Sequence, residues 1–417
     1  MKVQYRYNSI NIHIGKGTGS MGIRPLSKIR VLDLTQEISG PFCTQLLCDL
    51  GAEIIKIEPP EGDRSRKMGP KYGETSLTYI HTNRGKKSVT LDLKSQSHRD
   101  IFLRLAEKAD LIVEDFGPGK AEELGIGYED VKKLKSDILY LSITNFGRKG
   151  PFKDYMANDA IIQAMSGYMS LTSVQYQGTF TKIGPPLADL MTGLYGAIAA
   201  VSGVIYRKKT GESLRMDISK LSVMLQAMAD GYAKYLTSGE KGFPTGNAHR
   251  MSASFYPMPA KDGAIICNTG NRNTTEHKFE DFCIGIGMPD FFKDERYATE
   301  ESRLAHREEV AEAINAHTSQ MTIEEINNLC RKCGIAAGVV NDMAQVAVDP
   351  QTIHDQIIIN VHDTKSGDFK VLGCPFKFDA FDTPSRDFVD QPGEHTQEVL
   401  TDILGMAAKE AAAILNR

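Results

Sequence analysis

The sequence lacks a hydrophobic run long enough to cross a membrane. Its longest largely apolar stretch, Leu194 to Tyr206, has 13 residues, whereas a helix that spans a bilayer needs about 20. The first 20 residues contain no continuous apolar segment of the kind that a secretory signal requires. Cysteines are also few, seven in 417 residues, and their odd number argues against a disulfide framework. These absences predict a cytoplasmic protein that does not bind membranes.

Several kinds of functional site are missing as well. The formal net charge is −4, so the chain has no overall positive charge with which to attract nucleic acid. The sequence contains no metalloprotease HExxH motif, no Walker phosphate loop and no G-x-S-x-G nucleophile elbow. Cys330 and Cys333 form a C-x-x-C pair, but no further ligands follow at matched spacing. We therefore predict no metal site and no nucleic-acid partner.

The sequence matches the residue pattern of a dinucleotide-binding motif but not the structural context that the motif needs. The pattern G-x-G-x-x-G is matched by Gly17, Gly19 and Gly22. The motif functions between a strand and a helix, but here Pro25 and a new strand follow it. We interpret residues 1–24 as an N-terminal extension, and we expect a chain that starts at Met21 to fold and remain active.

From about residue 28 onward, short apolar strands alternate with helices. Predicted strands span residues 29–34, 52–58, 88–93, 110–116, 138–144 and 214–219, and predicted helices span residues 40–51, 96–108, 158–168, 189–209 and 220–238. Such alternation is typical of a mostly parallel sheet that is covered on both faces. The crossovers between parallel strands should be right-handed, which makes this part of the chain Rossmann-like.

The predicted fold class is α/β, with a large Rossmann-like domain and a smaller α+β lobe. After Gly242 the sequence becomes rich in loop residues, and a strand and several charged helices follow. We assign residues 25–239 to the first part of the large domain and residues 240–344 to the small domain. Residues 345–417 are expected to return to the large domain.

The most distinctive segment is KIGPPLADLMTGLYGAIAAVSGVIYRKKTG, residues 182–211. Its two prolines keep the lead-in extended, and Asp189 then stands where a helix begins. One interpretation is that Asp189 is a helix cap or a first-turn acid that suits the helix dipole. The other is that the same position keeps the carboxylate ionised and available as a nucleophile toward a thioester. Small residues such as Gly193 and Gly196 would let other backbone approach closely, as a packed subunit or a narrow ligand channel requires.

Several motifs, in this order along the chain, resemble those of the class III CoA-transferases, which include formyl-CoA and carnitine-CoA transferases. Besides the Asp189 segment, they are VLDLTQEISGPFCTQLLCDLGAEIIKIEPPEGDRSR (31–66), NRGKKSVTLDLK (83–94), ADLIVEDFGPG (109–119), SITNFGRKGP (142–151), QAMSG (163–167), GNAHR (246–250) and PGEHTQEVL (392–400). The resemblance runs from about residue 26 to about residue 405.

The resemblance implies an activity, a catalytic residue and an assembly. Members of the family move coenzyme A between an acyl-CoA and a carboxylic acid without a metal or redox cofactor. Asp189 lies where the family has its catalytic aspartate, which attacks the acyl-CoA, passes through an anhydride and then carries coenzyme A as an aspartyl-CoA thioester. The partners implied are acyl-CoA, a small carboxylate and a second copy of the chain, because the family forms an interlocked homodimer.

Contacts with coenzyme A are implied at four places. They are the loop after the first strand (Ile38 and Ser39), the residue after the second strand (Pro59), the LDLK segment (Leu91, Asp92, Leu93 and Lys94) and the loop of Asp115, Phe116 and Gly117. We expect Lys94 to attract a phosphate group of coenzyme A. The alternative is that it is a solvated lysine at the start of a helix.

The chain departs from formyl-CoA transferase at three places. Ile38 replaces a glutamine, Glu123 replaces an arginine, and the tetraglycine loop is absent, with GNAHRMSAS (246–254) in roughly its region. These differences argue against exchange between formate and oxalate. They also leave open which residues contact the phosphates near Glu123, and the sequence does not identify the donor and acceptor acids.

Two other functions are open to a chain of this fold. The first is an acyl-CoA racemase or epimerase, which pairs a histidine with an aspartate for acid–base chemistry. The glycine-histidine-aspartate triplet of the racemases is replaced here by Ala157, Asn158 and Asp159, so one partner is missing. The second is a protein that binds coenzyme A without catalysis, and the intact Asp189 segment argues against it.

Overall fold

A computed structural model describes residues 23–173, 180–242, 244–269, 277–363, 367–381, 388–389 and 391–415. The predicted N-terminal extension therefore lies outside the described residues except for its last two. The strands are β1 (Arg30–Asp33), β2 (Glu53–Glu58), β3 (Lys71–Tyr72), β4 (Thr75–Ser76), β5 (Lys87–Thr90), β6 (Leu111–Glu114), β7 (Leu139–Thr144), β8 (Leu214–Ser219), β9 (Pro257–Ala260), β10 (Gly263–Asn268), β11 (Ala336–Val339), β12 (Ile358–Asp363), β13 (Gly367–Leu372) and β14 (Phe388–Val389).

Helices connect and cover these strands. They are α1 (Ser39–Asp49), α2 (Leu77–Asn83), α3 (Gln96–Ala106), α4 (Lys120–Glu123), α5 (Tyr128–Leu134), α6 (Asp159–Met165), α7 (Met169–Thr172), α8 (Leu187–Thr210), α9 (Lys220–Gln226), α10 (Ala229–Ser238), α11 (Lys278–Gly285), α12 (Glu300–Ala305), α13 (Arg307–Thr318), α14 (Ile323–Lys332), α15 (Met343–Ala347), α16 (Pro350–His354), α17 (Thr396–Leu404) and α18 (Ala408–Leu415). Short 3₁₀ turns span Arg64–Lys67 and Phe291–Lys293.

Six parallel strands form the central sheet, in the order β5-β2-β1-β6-β7-β8. Every residue of β6 and β7 is buried, as expected for strands of a parallel sheet covered on both faces. From β1 the chain proceeds outward to β2 and β5, then returns to β6 and continues in the opposite direction. The α/β fold class and the Rossmann-like sheet are thereby confirmed, together with smaller, mainly antiparallel sheets elsewhere.

Two apolar cores cover the faces of this sheet. One contains Phe102 of α3, Val131 of α5 and Leu400 of α17, so the C-terminal helices pack with the first half of the chain. The other contains Leu47 of α1 and Ala200 of α8. Burial of these side chains is the main favourable contribution to the free energy of folding of this layered arrangement.

Helix α8 packs closely on α1 because its contact face carries small residues. A β-carbon on Gly193 would lie 2.7 Å from the backbone oxygen of Ser39, and one on Gly196 would lie 3.1 Å from Cys43 Sγ. The close approach predicted from the sequence is therefore present, and the neighbour is a helix of the same chain. By length and composition alone α8 is apolar enough to cross a bilayer, but its buried residues pack on α1 and the sheet.

A separate core lies in the part of the chain predicted to form the small lobe. Strands β9, β10 and β11 form an antiparallel sheet, on which α11, α13 and α14 bury Phe282, Val310 and Ile326. Cys330 of the C-x-x-C pair is buried here with its Sγ 3.5 Å from that of Cys267. This lobe is held together by its own apolar contacts.

The C-terminal segment returns to the open edge of the central sheet. The N–H of Gly393 donates to Ser88 Oγ at 2.8 Å, and the N–H of His395 donates to the Ser88 carbonyl at 3.0 Å. Helix α17 then covers β5, where Val399 enters the core beside α3. The edge strand is thus protected by residues more than 300 positions away.

Several predicted boundaries differ by a few residues from the structure, and two of the differences have a clear physical cause. The strand expected at 88–93 ends at Thr90, because the chain turns at Asp92, whose carboxylate accepts the N–H of Lys94. The helix expected at 220–238 is divided into α9 and α10. Between them the N–H of Met228 donates to the Leu225 carbonyl at 3.2 Å, which closes a tight turn and interrupts the helical ladder.

Candidate active site

A cavity of about 480 Å³ opens at the carboxyl edge of the central sheet. It is formed by the loops that follow β1, β6, β7 and β8. The direction of the chain across the sheet reverses between β1 and β6, and ligands of open α/β sheets bind at such a reversal. Residues from these loops and from α8 that line the cavity include Gln36, Ser39, Asp115, Asn145, Asp189 and Lys220.

Asp189 lies in the first turn of α8 with its carboxylate turned toward the cavity residues. Its Oδ1 accepts a hydrogen bond from Ser39 Oγ at 2.6 Å. The same oxygen forms an ion pair with Lys220 Nζ, also at 2.6 Å. Only 8% of the residue is exposed. A mostly buried carboxylate that still reaches a cavity is suited to react with a bound electrophile.

The capping of α8 is performed by a different aspartate. Asp159, the first residue of α6, accepts the N–H groups of Ala188 at 2.7 Å and Asp189 at 3.2 Å with one carboxylate oxygen. Its other oxygen accepts from Gln163 Nε2, and Gln163 Oε1 accepts the N–H of Ile183. Asp189 is thus a first-turn acid, but the helix-cap interpretation does not describe its side chain, which is available for another role.

Ser39 is placed by a loop that rests on buried charges. Asp33 at the end of β1 accepts from the N–H and hydroxyl of Thr35, and Lys56 Nζ donates to the Thr35 carbonyl at 2.8 Å. Lys86 Nζ pairs with Asp33 at 2.9 Å and also donates to the Pro41 carbonyl in α1. The start of α1, and with it Ser39, is therefore fixed by several independent contacts.

The buried charges in this network compensate one another. Burial alone would raise the pKa of Asp33, but the ammonium groups of Lys86 and Lys56 hold it below its ordinary value. Asp63 follows the same pattern, because Lys56 Nζ lies 2.7 Å from its carboxylate. Removal of one partner from such a pair would leave an uncompensated charge in the interior.

Glu37 introduces a local backbone constraint beside the cavity. Its φ of 69° lies in the left-handed region, which a residue other than glycine adopts rarely. The N–H of Glu37 donates to Asp63 Oδ1 at 3.2 Å, and its carboxylate pairs with Arg64 at 2.9 Å. These contacts hold the turn that brings Ile38 and Ser39 to the cavity wall.

Asp115 forms the opposite side of the reversal point. Its carboxylate accepts the N–H of Gln36 at 3.0 Å, which joins the loop after β6 to the loop after β1. Burial raises the pKa of Asp115 well above its ordinary value, and the neighbouring Glu114 raises it further. Gly117 follows with a φ of 92°, so the loop turns sharply away from the sheet.

The structure brings together half of the residues predicted to contact coenzyme A. With Asp189, the cavity is lined by Ile38, Ser39, Asp115, Phe116 and Gly117. The remaining ones, Pro59, Leu91, Asp92, Leu93 and Lys94, follow β2 and β5 and do not line this cavity. They lie along the same carboxyl edge, since the N–H of Leu91 donates to the carbonyl of Glu58. Leu91 is buried and Lys94 is exposed, and the assignment of these residues as coenzyme A contacts stays a prediction.

Two residues that contact Asp189 were not predicted as site residues from the sequence. Lys220 directly follows the predicted strand 214–219, so the strand prediction already places it at the carboxyl edge of the sheet. Asp159 was noted only as part of a triplet, and its capping of α8 depends on contacts between distant segments. Glu123 does line the cavity, where its carboxylate pairs with Lys120 at 2.8 Å.

The residue that replaces the racemase histidine has a structural role. Asn158 Oδ1 accepts the N–H of Ile161 at 3.1 Å and so caps α6. Its amide has no basic form at neutral pH, and it cannot exchange a proton with a substrate carbon. The arrangement therefore places the Asp189 carboxylate at a cavity but does not provide the paired acid–base groups of a racemase.

Residues 26–396 match the model of CoA-transferase family III. The succinate–glutarate CoA-transferase of Agrobacterium fabrum is 34% identical over 390 residues, which cover 91% of this chain and 96% of that protein. The acetyl-CoA:oxalate CoA-transferase of Acetobacter aceti is 34% identical over 86% of this chain and 90% of its own length.

A solved structure shows the same architecture. A protein of the CAIB/BAIF family from Brucella suis superposes with a TM-score of 0.82 and 33% sequence identity. The match covers 91% of this chain and 99% of the other. The likeness thus extends over both the central sheet and the second lobe.

Proposed function

The chain belongs to CoA-transferase family III, and on this premise we propose that it moves coenzyme A between an acyl-CoA and a small carboxylic acid through covalent chemistry at Asp189. The observation that supports the proposal is the carboxylate of Asp189, mostly buried, paired with Lys220 and facing a cavity at the reversal point of the sheet. The membership agrees with the resemblance found in the sequence motifs.

The proposed reaction needs no proton transfer to Asp189. Its carboxylate attacks the thioester carbonyl, which forms an acyl-aspartyl anhydride and releases the thiolate of coenzyme A. The thiolate then attacks the aspartyl carbonyl, giving an aspartyl-CoA thioester and the free donor acid. An acceptor carboxylate then attacks the aspartyl thioester, which forms a second anhydride and releases the thiolate. The thiolate attacks the acceptor's carbonyl carbon, giving the new acyl-CoA and freeing Asp189. The Ser39 hydroxyl, 2.6 Å from Asp189 Oδ1, orients the nucleophile.

We propose short dicarboxylic acids as the first substrates to test. The two relatives described above are named for succinate, glutarate and oxalate, each of which carries two carboxylates. The cavity is lined by three further cationic side chains, those of Arg64, Lys120 and Lys153. Such charges favour anionic ligands, including a second carboxylate or a phosphate of coenzyme A.

We also propose that the protein is a cytoplasmic homodimer that works without a metal. Helices α8 and α10 expose Ile198, Ile205 and Leu236, the last to 75%, and these apolar residues suit a subunit interface. None of the seven cysteines forms a disulfide within the described residues, as expected in a reducing compartment. Sedimentation of the purified protein at several concentrations tests the dimer.

The test of the function is CoA exchange combined with trapping of the intermediate. Wild-type protein with succinyl-CoA should transfer coenzyme A to glutarate, and hydroxylamine should convert Asp189 to a hydroxamate that peptide mass spectrometry detects. Asp189→Ala should keep its fold, because a first-turn acid contributes only about 0.3–1 kcal/mol through the helix dipole and Lys220 faces the cavity, and it should lose turnover. Exchange at the wild-type rate by this variant, or a label on another carboxylate, would refute the assignment. Epimerisation of a chiral acyl-CoA, or binding alone, would identify the two alternative functions.

A further inference from the structure

Lys220 is the cation nearest to the proposed nucleophile, and it comes from a different element. It begins α9, directly after the carboxyl end of β8, and its side chain is 16% exposed. Its Nζ lies 2.6 Å from Asp189 Oδ1. Of the other cavity carboxyls, Asp115 also acts on this ammonium electrostatically, but only Asp189 pairs with it among the residues that the structure describes.

The pairing changes when Asp189 becomes covalently modified. In the free enzyme the charges of Asp189 and Lys220 balance. In the aspartyl-CoA thioester of the proposed function Asp189 is neutral, so the ammonium of Lys220 loses its partner. A largely buried cation without an anion is unfavourable, and a new anion that reaches this position would be stabilised.

The single negative charge of the reacting groups stays close to this position throughout. It resides first on Asp189, then on the thiolate of coenzyme A, and then on the released acid. Each of these groups forms or breaks a bond at the aspartyl carbonyl or at the acyl carbon attached to it. A fixed cation beside Asp189 can therefore pair with whichever group holds the charge, without rearrangement of the protein.

We infer that Lys220 forms a carboxylate-binding site that becomes available only when Asp189 is acylated, an inference that rests on the proposed function. The acceptor carboxylate pairs with Lys220, and one of its oxygens attacks the Asp189 carbonyl carbon. The new C–O bond forms as the C–S bond breaks, and the thiolate leaves with the electron pair and the negative charge. No proton moves, and Lys220 then faces the thiolate.

This site distinguishes acceptors by charge. Before acylation the Lys220 ammonium is already paired with Asp189, so a free acid competes only weakly for that ammonium. After acylation a carboxylate is attracted, whereas a neutral nucleophile of similar size gains nothing from the cation. Lys220 thereby favours transfer to an acid over attack by water on the thioester.

The experiment compares a charged and a neutral nucleophile on the same intermediate. The aspartyl-CoA thioester is formed with succinyl-CoA, freed of small molecules, and mixed with either glutarate or hydroxylamine in wild type, Lys220→Met and Lys220→Arg. In Lys220→Met we expect the rate with glutarate to fall about 100-fold, comparable to loss of one charge-stabilising donor. The rate with hydroxylamine should fall by about tenfold at most, since that nucleophile carries no charge and only the departing thiolate then pairs with Lys220. Lys220→Arg should recover most of the glutarate rate.

Controls separate this role from a structural one. Lys133→Met removes a lysine whose side chain is 73% exposed on α5, and it should leave both rates unchanged. Equal losses with glutarate and hydroxylamine in Lys220→Met, or no loss with either, would overturn the inference. Should Lys220→Met fail to fold, Lys220→Gln replaces it. A folded neutral variant that forms no thioester would also overturn the inference. Absence of the hydroxamate in wild type would instead reject the chemistry proposed for Asp189.

Discussion

The α-carbon of Gly193 faces the backbone oxygen of Ser39 so closely that an added β-carbon would lie 2.7 Å from it. The same β-carbon would lie 2.9 Å from the ring of Phe42 and 3.1 Å from the N–H nitrogen of Cys43. Because the start of α1 carries Ser39, the packing of α1 on α8 also sets the distance between Ser39 and Asp189. Any side chain at position 193 must displace one helix or the other.

Gly193→Val is therefore expected to weaken both stability and activity. The overpacked contact should lower the free energy of unfolding by about 1–3 kcal/mol. It should slow CoA exchange further, because the Ser39 hydroxyl no longer reaches Asp189 Oδ1. Denaturant unfolding and steady-state kinetics measure the two effects. Gly184→Ala is the matched control, since nothing lies within 4 Å of its added β-carbon, and it should behave as wild type.

Removal of the carboxylate that caps α8 should displace the nucleophile. Asp159→Ala leaves the N–H groups of Ala188 and Asp189 without their acceptor, at a cost of about 1 kcal/mol in unfolding free energy. The turnover number should fall by more than this loss of stability explains, because the first turn of α8 positions Asp189. Circular dichroism and exchange kinetics provide the comparison.

A matched cap elsewhere distinguishes the two effects of Asp159. Asp342 caps the short helix α15 by accepting the N–H of Gln345 at 2.8 Å. Asp342→Ala should cost a similar amount of stability and leave turnover unchanged. Equal losses of turnover in both variants would show that Asp159 acts on stability alone.

The buried pair of Asp33 and Lys86 should make the protein sensitive to acid. The folded-state pKa of Asp33 is held below its ordinary value of 3.8. As the pH falls past that value, the unfolded chain binds a proton that the folded protein does not yet bind, so the free energy of unfolding decreases. The stability that the low pKa of Asp33 contributes is fully present above the ordinary pKa and is lost as the pH falls toward the folded-state pKa.

Asp33→Asn should reduce both the stability and its dependence on acid pH. The variant leaves the ammonium of Lys86 buried without its partner, which costs about 3–5 kcal/mol. Denaturant titrations at a series of pH values below 5 should show a shallower slope than in wild type. Asp290→Asn is the control, because its pair with Lys293 is on the surface and its side chain is 83% exposed. A wild-type slope in Asp33→Asn would contradict the prediction.

Removal of metal ions is expected to leave CoA exchange unchanged. Within the ranges that the structure describes, no group of three or more histidine, cysteine, aspartate or glutamate side chains is placed to hold a metal. The proposed chemistry at Asp189 also needs no Lewis acid. Activity after dialysis against a chelator, together with metal analysis of the protein, checks this expectation. Loss of activity that zinc or magnesium restores would contradict it.

The sheet could be predicted because its strands are short apolar runs bounded by turn residues. The strand expected at 214–219 is found as Leu214–Ser219, and that expected at 138–144 is found as Leu139–Thr144. β7 is recognisable as an apolar run because it is buried on both faces. β8 is recognisable because apolar and polar residues alternate along it, as in a half-buried edge strand. The end of β5 was less evident, because the turn at Asp92 depends on a side-chain hydrogen bond and not on hydrophobicity.

The site could be predicted only where a local pattern identified it. Asp189 stands out because prolines precede it and a small-residue helix follows. Lys220 and Asp159 reach Asp189 from segments about 30 residues away in opposite directions, and such contacts depend on how three elements pack. For the same reason the sequence did not reveal whether Gly193 approaches a subunit, a ligand or α1.

The return of the C-terminal segment to β5 has a consequence for the protein while it is being synthesised. Ser88 and Gly393 are 305 residues apart, so at about 5–20 residues per second the ribosome makes β5 roughly 15–60 s before the segment that covers it. During this interval the growing chain exposes the outer edge of β5, to which another strand can pair. Neighbouring chains on one messenger RNA are therefore the first competitors for the place that residues 393–404 finally occupy.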